Sequence, residues 1–157
     1  MGLGSSTPNE LSIALETGKK FDIDEALSIY TSKIYVKDWV ALRNKYLTKN
    51  CEHHLNASQT QKILYEYKRA LLIIGKDMKK FKQGVLKIEE SLIKKGFYKA
   101  IAIINGPCEM CAKKIDSRRP SFDIMAIDIL ATIRKFKKNV EPPKKGELAP
   151  YAIILVE

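Results

Sequence analysis

Cysteine is scarce in this sequence, with three residues among 157. That number is odd, and it is too small for the disulfide framework of a compact secreted protein. The chain also lacks an apolar run of the roughly 20 residues that a transmembrane helix needs. No basic segment followed by an apolar one marks a signal peptide. We therefore expect a cytoplasmic protein with no membrane partner.

Two kinds of catalytic motif are missing as well. No nucleophile is accompanied by a base in a recognisable set, and no glycine-rich phosphate-binding motif is present. The sequence is therefore more typical of a binding or accessory protein than of a stand-alone enzyme.

Acidic residues are outnumbered by basic ones, 18 to 28, which gives a formal net charge of +10. Such a balance favours polyanionic partners, so one alternative function is a basic module associated with nucleic acid or ribonucleoprotein. The lysines are spread along the chain, however, as on an ordinary solvated surface. Neither an RNA-binding aromatic motif nor zinc-finger spacing accompanies them. This alternative rests on charge alone.

Apolar runs and periodic patterns predict the secondary structure after residue 57. Continuous apolar runs of strand length are typical of strands covered on both faces, and apolar residues at helical spacing indicate amphipathic helices. The predicted order is helix, strand, helix, strand, helix, strand. The helices are expected at residues 58–67, 79–95 and 121–137, and the strands at 69–75, 98–104 and 151–156.

Capping residues define the ends of these predicted helices. Ser58 and Gln61 have the spacing of a capping box. Gly96 is placed to end the second helix, and Ser121 is a good N-cap for the third. These signals fix where each helix is expected to begin or end.

The first third of the chain has weaker patterns. A short helix ending at Gly18, a second short element at residues 24–27 and a short strand at 34–36 are predicted, with Trp39, Val40 and Leu42 in the core. Residues 1–10 are expected to form a flexible tail. The whole indicates an α/β (or α+β) fold: a single domain over residues 11–157, with a small central sheet of about four strands packed by helices.

The sequence centres on Cys108 and Cys111, in the run Gly-Pro-Cys-Glu-Met-Cys at residues 106–111. An apolar strand leads into this run, and open α/β sheets usually place their sites at the ends of such strands. Cys-x-x-Cys in a cytoplasmic protein indicates metal binding or thiol redox chemistry. A redox pair usually sits in the first turn of a helix, and here the predicted helix begins about ten residues later. Thiol redox is therefore the second alternative function.

This stretch resembles a family of small, cysteine-rich, uncharacterised prokaryotic proteins described as predicted metal-binding proteins. The family pattern is Gly-Pro-Cys-x-x-Cys, a loop with further cysteines, then Arg-Pro-Ser-x-Glu-Ala-x-Gly-Ile-Asp-Val. Residues 106–111, 119–123 and 127–129 are similar to it, with Asp123 for Glu and Ala126 for Gly. A looser likeness covers residues 34–157, in which Cys51 falls where the family has Cys-Pro-Pro. The resemblance implies a metal-binding protein.

Several cysteines of that family are absent here. Leu42, Arg43 and Tyr46 lie in the region where earlier ones belong, and the loop between Cys111 and Arg118 is short and holds no further thiol. An iron–sulfur cluster usually takes four thiolates, so this chain alone cannot supply an all-cysteine cluster. Either the site is reduced, or a histidine or another chain completes it, or the metal is lost. In the last case Cys108 and Cys111 merely pack at a turn.

Zinc, by contrast, accepts mixed cysteine and histidine sites. Cys51, Cys108 and Cys111 with His53 or His54 would supply four ligands if the Cys51 loop lies beside the two-thiol turn. Since the two histidines are adjacent, at most one can point into a given site. The predicted cofactor is thus zinc, an iron–sulfur cluster completed by a homodimer or another protein partner, or none.

A second candidate site comprises Arg118, Arg119 and the predicted helix start at Ser121. Helix N-termini bind anions through free backbone N–H groups, and arginine adds a bidentate donor. A phosphate or carboxylate ligand would fit this arrangement. The alternative is that Arg119 pairs with Asp123 or Asp128 as a structural clamp.

Overall fold

A computed structural model of the chain describes residues 9–21, 23–47, 54–105, 121–122, 124–137 and 149–157. Within these ranges the chain forms five helices, one short 3-10 turn and four strands, and the predicted mixed α/β class is confirmed. In chain order the elements are α1 (Asn9–Gly18), β1 (Ile23–Tyr30), the 3-10 turn (Thr31–Lys33), α2 (Asp38–Leu47), α3 (Ala57–Tyr65), β2 (Arg69–Gly75), α4 (Met78–Lys94), β3 (Ile101–Ile104), α5 (Ile129–Phe136) and β4 (Tyr151–Leu155). In the described ranges, no helix is long and apolar enough to cross a lipid bilayer.

The four strands form one sheet in the order β1-β2-β4-β3, and each neighbouring pair is antiparallel. In β2, Leu72 aligns with Leu27 of β1 on one side and with Ile153 of β4 on the other. β3 aligns Ile103 with the same Ile153. The predicted run of helix, strand, helix, strand, helix, strand is confirmed, as is the number of strands.

Helices cover both faces of the sheet, which is why the central strands carry continuous apolar sequence. On one face, called here the α5 face, Leu72, Ile103 and Ile153 pack with residues of α3, α5 and the segment 121–127. On the opposite face, called the α4 face, Leu71 and Ile154 pack with α1 and with the apolar stripe of α4. The chain thus buries two separate apolar layers, one on each side of the sheet.

The exposed edge of β3 is covered by a carboxylate from α4. Glu89 is 3% exposed, and its Oε2 accepts a hydrogen bond from the backbone N–H of Ala102 at 2.6 Å. An unpaired edge N–H is a template for pairing with another strand, and an inward-pointing charge is one way to block it. Glu89 therefore satisfies one edge donor of β3.

Two helix ends follow the predicted signals, one of them with a shift. Asn56, rather than Ser58, caps α3: its side chain accepts from the N–H of Gln59 at 2.8 Å, while Gln59 Oε1 accepts from the N–H of Asn56 at 2.9 Å. The capping box therefore begins two residues earlier than predicted, because Asn is as good a cap as Ser. Gly96 follows α4 with a φ of 108°, which agrees with its predicted role at the helix end.

The predicted helix start at Ser121 is wrong. α5 begins at Ile129, and Asp128 is its N-cap, accepting from the N–H of Ala131 at 3.1 Å. Phe122 and residues 124–126 form turns, and Ala126 has a φ of 56°. A left-handed residue at this position cannot continue a right-handed helix, so the apolar residues that precede it belong to a buried loop.

The first third of the chain departs further from prediction. The first strand is β1, which includes the predicted short element at residues 24–27, whereas residues 34–36 contribute only one bridge, between Val36 and Ile127. α1 ends at Gly18 as predicted but begins at Asn9, inside the expected tail of residues 1–10. Residues 1–8 lie outside the described ranges.

The predicted core position of the Trp39 segment is correct for one residue of three. Val40 is 7% exposed, but Trp39 and Leu42 are 52% and 54% exposed. All three lie on α2, so the helix turns Val40 inward and leaves the other two at the surface. Trp39 and Leu42 border the predicted ligand His54.

Replacing Gly84 by alanine is expected to destabilise the protein, although alanine favours helices. A Cβ at Gly84 would lie 2.5 Å from Cβ of Phe21, so the helix or the chain after α1 must move. Because the close contact is with Cβ of Phe21, next to the backbone, we expect the upper part of the overpacking range of about 1–3 kcal/mol, which exceeds the roughly 1 kcal/mol gained from helix propensity. We expect urea denaturation to show a net loss of about 1–2 kcal/mol. Gln83→Ala, at an exposed neighbouring position, is the control and should change the stability by less than about 0.5 kcal/mol. An unchanged or raised stability of Gly84→Ala would contradict the close contact.

Candidate functional site

The predicted site residues fall into two groups with respect to the structure. His54 and Ser121 are among the described residues. The other predicted ligands lie outside the described ranges, and these are Cys51, His53, Cys108, Cys111, Arg118 and Arg119. The structure therefore describes the residues at which each of the two cysteine-bearing segments joins the fold.

The segment with Cys51 and His53 ends against the segment that follows the two-thiol stretch. The backbone N–H of Leu55 donates to the carbonyl of Ile124 at 2.7 Å. Leu55 lies four residues after Cys51, and Ile124 lies five residues after Arg119. Two parts of the chain about 70 residues apart are thus joined directly where these segments end.

Further hydrogen bonds fix the chain after Ile124 between two other segments. The carbonyl of Ala126 accepts from the N–H of Lys37 at 2.7 Å, and the N–H of Asp128 donates to the carbonyl of Tyr35 at 2.9 Å. On the other side, the hydroxyl of Thr60 in α3 donates to the carbonyl of Met125 at 2.6 Å. Residues 124–128 are therefore held from both sides on the α5 face.

The beginning of the two-thiol stretch is also attached to the sheet. Asn105 directly follows β3, and its backbone N–H donates to the carbonyl of Tyr151 at 3.0 Å. Its side-chain Nδ2 donates to the carbonyl of Ala149, also at 3.0 Å. Ala149 and Tyr151 pack in the same apolar cluster as Phe122 and Ile124. Both ends of the segment that carries Cys108 and Cys111 thus attach to one cluster on the α5 face.

Ser121 has a local structural role in this region. It is 2% exposed, and its Oγ accepts from the N–H of Ile124 at 3.4 Å. Because the helix that was expected to begin there starts at Ile129 instead, the predicted anion site of Arg118, Arg119 and Ser121 lacks its helix N-terminus. Asp128, one alternative partner of Arg119, uses its Oδ1 to cap α5.

His54 borders an apolar groove of about 470 Å³. Trp39 and Leu42 of α2 lie on its walls, as do Asp38 and Leu55. Asp38 Oδ1 also accepts from the N–H of Ala57 at 2.6 Å, which joins the start of α2 to the start of α3. Sequence reasoning missed this groove because apolar residues on α2 were assigned to the core. The sequence does contain a clue. Apolar and polar residues are mixed around the helix from Asp38 to Leu47, so this helix has no clear apolar face to bury in the core.

Tyr151 is buried in the apolar cluster to which Asn105 is attached. Its side chain is 8% exposed, and burial raises the pKa of the phenol, while Arg134 and Lys137 oppose that shift. The phenol therefore stays neutral at physiological pH.

Within the part of the chain that the structure describes, no group of three or more His, Cys, Asp or Glu side chains could hold a metal ion.

Replacing Thr60 by valine is expected to loosen the contact between α3 and residues 124–128. The substitution keeps the shape but removes the donor to the carbonyl of Met125, in a place where Thr60 is 0% exposed. Leaving a buried acceptor without this bond costs about 1–3 kcal/mol, measurable by urea denaturation. Thr17→Val is the matched control, because the hydroxyl of Thr17 meets Ser91 Oγ at 3.4 Å in a half-buried place; we expect it to cost less than about 0.5 kcal/mol. Equal effects of the two substitutions would contradict the importance of this hydrogen bond.

Comparison with protein families identifies a match over most of the chain. A family model described as "Predicted metal-binding protein (DUF2284)" matches residues 28–156. Comparison with the curated proteins and with the solved structures found no match. The matched range runs from β1 to the residue after β4, and it includes all three cysteines and both histidines.

Proposed function

The chain belongs to the DUF2284 family of predicted metal-binding proteins, and from this premise we propose that it binds one metal ion through Cys51, Cys108 and Cys111. The observation that carries the proposal is the hydrogen bond from Leu55 to Ile124. This bond joins the residues that follow the two cysteine-bearing segments. Without such a contact, thiols more than 50 residues apart in sequence would have no reason to meet.

Covalent reach supports the same grouping. A residue spans at most about 3.3–3.6 Å of chain. Cys51 is four residues from Leu55, and Cys108 is three residues from Asn105, so their Cα atoms lie within roughly 14 Å and 11 Å of those residues. Leu55 and Phe122 belong to the apolar layer on the α5 face, and Asn105 is bonded to Ala149 and Tyr151 of the same layer. Cys111 is three residues beyond Cys108, so this reach supports the convergence of the three thiols on this side of the sheet.

The donor set fits zinc better than an iron–sulfur cluster. Three cysteines and one histidine form a tetrahedral zinc site of a common structural type, whereas a cluster usually needs four thiolates and the chain has three cysteines. With four protein ligands, zinc would act as a structural cross-link and would leave no open position for substrate. One of His53 and His54 supplies the fourth ligand in this proposal.

Thiol protection tests the proposal directly. Reduced, metal-free protein is treated with an alkylating reagent in the presence or absence of one equivalent of Zn²⁺, and the modified thiols are counted by mass spectrometry. We expect zinc to slow the alkylation of Cys51, Cys108 and Cys111 together, because only thiolates bound to one ion are protected as a set. Mg²⁺, which prefers oxygen ligands, is the control and should protect none. Alkylation of all three at an unchanged rate in zinc would contradict the proposal. Protection of Cys108 and Cys111 alone in zinc-free protein exposed to air, where oxygen is the oxidant, reversed by a phosphine reductant, would indicate a redox pair.

The two histidines serve as controls for each other. His53→Gln and His54→Gln each remove one imidazole from adjacent positions, and only one of them can point into the site. We expect one variant to lose at least about tenfold in zinc affinity, measured by competition with a chromophoric chelator, while the other binds as the unmodified protein does. Equal affinity in both variants would show that neither histidine is the fourth ligand.

A further inference from the structure

A second surface, at the opposite end of the sheet from Asn105, carries two almost fully exposed tyrosines. Tyr65 ends α3 and is 85% exposed, and Tyr98 precedes β3 and is 81% exposed. Both lie where β2 and β3 begin. Exposed single apolar residues are common on proteins. Here, however, two tyrosines are exposed in neighbouring segments.

Hydrogen bonds hold these two segments together. The hydroxyl of Tyr67 donates to the carbonyl of Lys99 at 2.8 Å, and Lys99 Nζ donates to the carbonyl of Glu66 at 2.5 Å. Lys99 Nζ also lies 4.8 Å from the centre of the Tyr67 ring. Tyr65 and Tyr98 are each within two residues of this contact, so the two segments that carry them are joined at this end of the sheet.

The same end of the molecule is basic. Lys62, Lys68 and Lys95 are exposed, and none of them forms an ion pair with another residue in the described ranges. Lys33 joins them, because its 3-10 turn is bonded to the chain after α3 through the N–H of Thr31 and the carbonyl of Lys68. Glu66 and Glu157 are acidic side chains at this end, and Glu10 is paired with Arg69, so the lysines still give it an excess of positive charge.

We propose that this surface, formed by Tyr65, Tyr98, Lys68, Lys95 and Lys99, binds single-stranded nucleic acid. Proteins that bind single strands combine lysines along the phosphate backbone with aromatic rings on which bases stack. Here the rings are exposed, belong to segments joined by the Tyr67–Lys99 contact, and have exposed lysines near them in sequence. The proposal is independent of the metal site, because it uses none of the proposed metal ligands.

The opposite end of α4 provides an internal comparison. Lys79 and Lys80 are exposed there as well. They lie in the first turn of α4, whose last residue is Lys94, at a distance of about 21–22 Å along the helix axis. In that region, the described residues include no large aromatic side chain with comparable exposure. If charge alone caused binding, both ends would contribute equally; if stacking matters, only the tyrosine end should.

Fluorescence anisotropy with labelled 12-nucleotide oligo-U, oligo-dT and a duplex tests the proposal on the full chain. We expect the single strands to bind more tightly than the duplex, with an affinity that falls as salt rises. Tyr65→Ser/Tyr98→Ser should weaken binding by at least about 20-fold, since each stacked base contributes about 5- to 100-fold, and should leave the salt dependence unchanged. Lys68→Ala/Lys95→Ala should reduce the salt slope by about 1–2, because the slope is about 0.7 per phosphate contact on single strands.

Two controls keep the test decisive. Lys79→Ala/Lys80→Ala removes the same charge at the other end and should leave the affinity within about twofold. Trp39→Ala removes an exposed ring elsewhere and should do the same. Circular dichroism checks folding, which substitutions at exposed positions should preserve.

The proposal is overturned if no oligonucleotide binds, if the tyrosine variant binds as the parent does, if the Lys79/Lys80 variant weakens binding equally, or if only anionic vesicles bind. Comparison of oligo-U with oligo-dT shows which kind of strand is preferred.

Discussion

Phe122→Ala is expected to lower the free energy of unfolding by about 3–5 kcal/mol, the range for phenylalanine truncated in a core. Phe122 is 1% exposed and packs in the apolar layer that also contains Ile124, Ala149 and Tyr151. It is part of the short described stretch that directly follows the two-thiol segment. Truncating its ring would open a cavity between the attachment points of that segment and the sheet.

Phe136→Ala is the matched control for that measurement. Phe136 ends α5 and is 39% exposed, so its truncation should cost less than about 1 kcal/mol. Urea denaturation followed by far-ultraviolet circular dichroism measures both. A loss of less than about 1.5 kcal/mol for Phe122→Ala would mean that residues 121–127 contribute little to the core, against the packing described above.

Removal of metal is the second large effect, with an expected fall in Tm of about 8–16 °C. A ligand present at 1,000 times its Kd stabilises the folded state by about 4 kcal/mol. In a domain of this size, each kcal/mol corresponds to about 2–4 °C. The effect should be a loss of stability because a zinc ion bound at residues from separate segments holds them only in the folded state.

Differential scanning calorimetry with and without a strong chelator measures this effect. The Cys108→Ser/Cys111→Ser variant is the control: it should melt near the chelated parent and should not respond to chelator. A parent protein whose Tm is unchanged by chelator, with metal loss verified, would contradict a stabilising metal. An equal shift in the variant would place the metal at residues other than Cys108 and Cys111.

Local patterns predicted the central part of the fold well. The run from Arg69 to Gly75 is continuously apolar after its first residue, and its strand is covered on both faces. α4 has its apolar residues at helical spacing and is bounded by Asp77 and Gly96. In these elements the local sequence pattern and the burial of apolar side chains favour the same secondary structure, so the sequence alone predicts them.

Elements at the sheet edge and in the buried loop were harder to predict. β1 contains Asp24, Glu25 and Ser28, because an edge strand is only partly buried, and this polar content conceals its strand pattern. The residues from Ser121 to Ile127 are as apolar as a core helix, yet the left-handed φ of Ala126 and the bonds to Lys37 and Leu55 make them a loop. Such long-range contacts override local propensity.

The family was predictable from the sequence, and the surroundings of the candidate site were not. The residues around Cys108 and Cys111 resemble a family of predicted metal-binding proteins, and that family is confirmed. The bond between Leu55 and Ile124 depends on how two distant segments pack, which no local pattern encodes. The same holds for the groove beside His54, since its walls come from α2 and the start of α3. Cys51, His53, Cys108 and Cys111 themselves lie outside the described ranges, so their role stays a prediction.

The most direct test of the metal-binding account is the metal content of the protein purified without oxygen and without added metal. Elemental analysis of the parent chain should find about one zinc per chain, and the Cys108→Ser/Cys111→Ser variant should hold less than about one tenth of that amount. Iron with sulfide would contradict the assignment to zinc. A parent protein that carries no metal and takes up none from a zinc solution would contradict the metal site itself.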